Sequence, residues 1–134
     1  MSVIANITGN ATVQDNTTNF GPNIALALSS AGLSAYSYLV GESISTSPNV
    51  ITFPFGVTQL QFVYIQNTGP NTLQVTWVPQ GQSSAIVLKL TPSGVPGKAG
   101  GAIMFIEPDK TLGISSLTLA AITTATNANV LIAG

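Results

Sequence analysis

Hydrophobic and polar residues alternate at period two along most of this chain. The clearest stretch is residues 50–77, VITFPFGVTQLQFVYIQNTGPNTLQVTW. Leu60, Phe62 and Tyr64 alternate with Gln59, Gln61 and Val63 before Ile65 and Gln66. Leu73, Val75 and Trp77 alternate with Thr72, Gln74 and Thr76. A strand turns successive side chains to opposite faces, so such runs predict strands with two distinct faces. The insert Asn67-Thr68-Gly69-Pro70-Asn71 has turn chemistry: Asn and Gly tolerate positive φ, and Pro has no amide to continue a ladder. The pattern predicts a β-hairpin over these residues.

Shorter runs of the same kind recur. Two extended pieces, 3–8 and 11–14, flank Gly9-Asn10 and predict a hairpin or a loose arm, followed by a polar loop over 15–22. Ile24, Leu26 and Leu28 alternate with small residues and fit a strand or, given the alanines, a short helix. Tyr36, Tyr38 and Val40 share one face of a predicted strand. A strand over 50–55 is interrupted by Pro54, which places it at an edge or an end. Further strands are predicted over 85–90, 102–106, around Leu117, Leu119 and Ala121, and over 130–132, with a Pro-Gly-rich loop at 91–101. Turn signals about every ten residues and no long helical period predict an all-β fold, an antiparallel β-sandwich or jelly-roll-like barrel. The organisation expected is an N-terminal arm or hairpin over residues 1–30 and a β-sandwich domain over 31–134.

The length of 134 residues suits this, being enough to bury roughly two thirds of the unfolded surface. Charge changes the picture more. Only 5% of residues are charged, against roughly a quarter in ordinary soluble proteins. The basic residues are Lys89, Lys98 and Lys110, and the acidic ones Asp15, Glu42, Glu107 and Asp109. Scattered lysines and a net charge of −1 make no phosphate-neutralising patch, which argues against nucleic-acid binding. Such a surface has little colloidal repulsion, so contact with copies of itself or with a partner is expected. No apolar run approaches the roughly 20 residues of a membrane span, and the first residues lack the basic and apolar regions of a secretory signal. The three Asn-x-Thr triplets at Asn6, Asn10 and Asn16 are what an Asn- and Thr-rich chain produces by chance.

Candidate chemistry is sparse. The chain has no cysteine and no histidine, which removes disulfides, thiolate sites, the commonest metal ligand and the usual general base. Glu107 and Asp109 could in principle form part of a glycosidase-like carboxylate pair or hold an ion, but no calcium-loop pattern is present. A solvated turn is the simpler reading. Gly97-Lys98 resembles a P-loop ending only briefly: Ala99 follows where Ser or Thr is needed, and Pro92 stands where the first Gly belongs. No catalytic, cofactor-binding or metal residue is assigned, and no cofactor is expected. Trp77 is in register with Leu73 and Val75, which favours core packing. Tyr36 and Tyr38 on one face suit a core, a subunit contact or a platform for sugar rings. Val3, Ile4, Ile7 and Val13 are too few in their segment to be buried within it, and the arm is expected to dock on a neighbouring subunit or a larger shell. The candidate interface residues are therefore Val3, Ile4, Ile7, Val13, Tyr36 and Tyr38.

From residue 51 onward the run of pieces FPFGVTQL, FVYIQNTG, LQVTW, IVLKLTPSG, AIMFIEPDKTLGISSLTLAA and VLIAG resembles small structural virion proteins of tailed bacteriophages. The resemblance lies in turns and apolar positions over about the last 85 residues and carries no catalytic fingerprint. It implies a jelly-roll-like β-domain acting as a capsid decoration or cement protein: an oligomer, a trimer first of all, bound to the major capsid protein. Such a protein is made in the host cytoplasm and ends on the capsid surface. The alternative implied is a carbohydrate- or receptor-binding β-sandwich module of a fibre or tail.

Overall fold

The computed structural model describes residues 2–12, 23–94 and 99–134. It is an all-β chain of antiparallel sheets, with a 3-10 turn at Lys110–Leu112. The strands are β1 (Val3–Thr12), β2 (Asn23–Leu33), β3 (Tyr36–Ile44), β4 (Asn49–Val50), β5 (Phe62–Asn67), β6 (Leu73–Pro79), β7 (Ile86–Leu90), β8 (Ala102–Ile106), β9 (Ile114–Ala121) and β10 (Thr126–Ala133). β1 and β2 form a separate two-stranded hairpin, and the other strands form two four-stranded sheets, β3-β10-β5-β8 and β4-β9-β6-β7.

The pairing within the sandwich is concentric. β3 pairs with β10, β4 with β9, β5 with β8 and β6 with β7. The chain is thus a long antiparallel ribbon wound on itself, and the contacts β10–β5 and β9–β6 complete each sheet. This is the strand order of a double-sheet jelly roll. The two sheets stay separate, so the structure is a sandwich rather than a closed barrel.

One core lies between the sheets. Val63, Ile65, Val130 and Ile132 face it from one side, and Leu73, Val75, Leu117 and Leu119 from the other. All eight are at most 1% exposed. Trp77 packs against the margin of this core, 6.4 Å from the Phe105 ring, as its register with Leu73 and Val75 predicts.

The hairpin predicted over residues 60–77 does not form. Its two arms are strands, but β5 pairs with β10 and β8 while β6 pairs with β9 and β7. Residues 68–72 carry the chain across the sandwich from one sheet to the other. Each arm brings its own inward apolar set, and those sets bury more by meeting face to face than side by side in one sheet. The two side-chain sets of β5 take opposite faces. Val63 and Ile65 point to the core, and Phe62 and Tyr64 point outward. Leu60 is fully buried just before β5, where it bridges Ile114.

Two smaller expectations also change. Gly9-Asn10 is not a turn but lies inside the continuous strand β1, whereas residues 24–28 take the strand of the two alternatives. Only Asn49–Val50 of the strand expected near residues 50–55 is in a ladder, since Pro54 and Gly56 turn the chain away.

Candidate functional site

The surface with most to offer is the outer face of the β3-β10-β5-β8 sheet. Register brings its outward residues into rows. Tyr36, Ala133, Phe62 and Ile106 form the first, and Tyr38, Leu131, Tyr64 and Met104 the second. A sheet face turned to water normally carries polar residues. Here both rows are apolar or aromatic, so this sheet is built to be covered on both sides.

The base of the N-terminal hairpin covers the first row in part. Ala5 and Leu33 pack with Phe62 and Ala133, with Val3 and Ile7 at the margin. Phe62 is 5% exposed and Leu33 is 1% exposed, so the contact is dry at its centre. Backbone bonds tie down the hairpin's exit: Ser34 and Ala35 donate to the Gly134 carbonyl at 2.6 and 3.1 Å. A cleft of about 410 Å³ remains beside this contact, lined by Val3, Ile4, Ala5, Tyr36 and Leu131 among others. In the second row Leu131 and Tyr64 pack at the edge of this contact, and Tyr38 and Met104 stay open, 59% and 54% exposed.

The candidate interface residues thus gather only in part. Val3, Ile4 and Tyr36 line one cleft, and Ile7 packs against the hairpin-base cluster. Tyr38 lies one row further along the same sheet face. Val13 lies outside the described residues. Phe62, Leu33, Leu131 and Met104 were not picked out by sequence reasoning. The available signal was Phe62 and Tyr64 opposite Val63 and Ile65, because a strand apolar on both sides is covered on both sides.

Among the described residues no acid–base constellation gathers elsewhere. Among the described residues no cluster of three or more Asp or Glu could hold a metal ion. No helix of the described residues is long and apolar enough to cross a membrane. Glu107 and Asp109 serve their own turn. Asp109 N donates to Glu107 Oε1 at 3.0 Å, and Asp109 Oδ1 accepts from Thr111 Oγ1 at 2.7 Å and Thr111 N at 2.9 Å. The Thr111 hydroxyl, then its amide, hold the Asp109 carboxyl below the usual carboxylate range. This is a helix-capping arrangement that stabilises a 3-10 turn.

Comparison with protein-family models, curated proteins and solved structures finds no match for this chain.

Proposed function

We propose that this chain is a non-enzymatic structural protein of a virion, a decoration or cement protein that binds a phage head shell as an oligomer. The observation that carries the proposal is the pairing of an apolar outer sheet face with a hairpin standing apart from the sandwich. Both are contact surfaces in a chain that gathers no reactive groups at them. Jelly-roll strand order is compatible with this role, and it is shared with lectin domains and cupins, so it does not by itself select it.

In this reading the work is mechanical. Wide, weakly polar contacts bridge neighbouring shell subunits and resist outward pressure, each residue adding little. The partners are further copies of the chain, with a trimer as the first expectation, and the major capsid protein. The site of action is the capsid surface, after synthesis in the host cytoplasm.

Co-sedimentation with capsids of the encoding virus that lack this protein tests the reading. Saturable binding at a fixed ratio to the shell protein is the expected result, and absence of binding overturns it.

A second reading rests on Tyr36 and Tyr38, which are 61% and 59% exposed on one face. Sugar rings stack on such platforms, so a carbohydrate- or receptor-binding module of a fibre or tail is the alternative. Glycan binding abolished by Tyr38→Ala, without particle binding, would establish it. Trp77 is not part of that platform, since it packs at the core margin.

A further inference from the structure

The hairpin is an amphipathic ribbon whose apolar side outruns its contact with the sandwich. Register pairs Ala5 with Ser30, Ile7 with Leu28 and Gly9 with Leu26, while the alternate pairs are Asn6 with Ser29 and Thr8 with Ala27. At the base, Ala5 and Leu33 are buried on the first row of the outer sheet. Two pairs further along, Leu28 is already 46% exposed. A two-stranded ribbon alone in water is marginally stable at best. The free half of this one therefore lacks the cover that its base has.

The sheet shows the complementary lack. Its first row is covered by this ribbon at Phe62 and Ala133, and its second row, with the same apolar and aromatic character, is open at Tyr38 and Met104. The two rows are neighbours on that face, two residues apart along each of β3, β10, β5 and β8.

We propose that the free half of one copy's hairpin lies across the Tyr38–Met104 row of a second copy. The inference rests on the oligomer in the function proposed above and names its interface. Three features favour a second copy as the occupant. The contact continues an apolar fit the chain already makes with itself at the hairpin base. Neither strand of the hairpin nor the row from Tyr38 to Met104 carries a charged residue, so copies do not repel there. The row also has open side chains to offer a ribbon, Tyr38 being 59% and Met104 54% exposed. Such a contact is either reciprocal, in a two-fold dimer, or head-to-tail. Head-to-tail contacts close into rings or run on as filaments, and a trimer is a closed ring of this kind.

The test is the mass in solution of the full chain and of Leu28→Asp and Met104→Asp, alone and mixed. Each variant damages one side of the contact at an exposed position. The wild-type chain should be an oligomer and each variant a monomer, with association weakened at least tenfold. An equimolar mixture should recover a heterodimer, because the intact ribbon of Met104→Asp meets the intact sheet of Leu28→Asp. A wild-type monomer, variants of unchanged mass, or a mixture that stays monomeric would each overturn the proposal.

The chain has no cysteine, so Leu28→Cys and Tyr38→Cys in separate copies give a second measurement. Their mixture should form an intermolecular disulfide absent with a Val50→Cys control. Particle binding is read independently. An oligomer of this geometry that ignores capsids would sink the virion reading alone, and a capsid-bound monomer would sink this contact alone.

Discussion

The Thr126 hydroxyl lies 3.0 Å from Asn67 Oδ1 inside the sandwich, between residues 59 positions apart. Both side chains are at most 1% exposed. Asn67 Oδ1 also accepts from Gly69 N at 3.2 Å, and Asn67 Nδ2 faces the carbonyls of Asn71, Leu90 and Thr91 at 2.8 to 3.1 Å. One side chain thus satisfies backbone groups of the crossing at 68–72 and of the end of β7. It fixes where the chain leaves one sheet for the other.

Asn67→Ala should therefore be costly. It strips partners from buried carbonyls and leaves a void, for a loss of about 3 kcal/mol. Thr126→Val keeps the volume and removes one hydroxyl, so about 1–2 kcal/mol is expected. Urea unfolding midpoints check both. Equal, small effects would mean that this network does not hold the crossing.

The same region shows what the sequence could and could not disclose. Alternation identifies strands and sorts residues into two faces, and nearly every strand of the sandwich was legible that way. It does not say which sheet a strand joins. Leu73 and Val75 meet Val63 and Ile65 across the core instead of beside them, because the crossing is pinned by Asn67, a residue that looks like ordinary turn chemistry. The N-terminal strand was misread for a related reason: Gly9 and Asn10 are turn formers, but pairing with Leu26 and Ala25 keeps them in the ladder. The candidate surface was half legible. Tyr36 and Tyr38 stand out as aromatics on one face, whereas Phe62 and Met104 join them only through the register of four strands distant in sequence.

Ser30 offers an unusual direction of effect. It is 1% exposed at the hairpin base, and its hydroxyl has no hydrogen-bond partner among the described residues. Burying an unpaired hydroxyl costs free energy that an alanine would not incur. Ser30→Ala is expected to raise stability by about 1 kcal/mol, seen as a higher midpoint in thermal or urea unfolding. A lower midpoint would show that the hydroxyl is satisfied in solution.

Asp109 gives a pH dependence with a definite sign. Its carboxylate accepts two bonds from Thr111, which lowers its folded pKa below the ordinary value of about 3.9. A depressed carboxylate contributes stability that is present above its unfolded pKa and lost as pH falls through the folded one. Asp109→Ala should thus be slightly less stable than wild type at neutral pH, and the two should converge in acid once the Asp109 carboxyl is protonated in both states. The difference is small because the turn is solvent-exposed. Melting temperatures from neutral pH to pH 2 measure it, and a gap that widens in acid would contradict the assignment.

Leu33 decides whether hairpin and sandwich are one unit. It is 1% exposed and packs with Ala5 against Phe62 and Ala133, the apolar centre of the contact that seats the ribbon. An aspartate there cannot stay buried without a partner, so Leu33→Asp should lift the hairpin base from the sheet. The freed ribbon has too little cover to persist alone. Limited proteolysis should then cut rapidly within residues 3–33 and leave a resistant fragment covering 36–134. The sandwich should unfold within about 1 kcal/mol of its wild-type stability, since its own core between the sheets is untouched. Ile132→Ala should act in the opposite way. It opens a cavity in that core, costs about 3 kcal/mol, and weakens the sandwich itself. If Leu33→Asp instead exposes the whole chain to protease at one rate, the hairpin is an integral part of the sandwich's stability and not a separable arm.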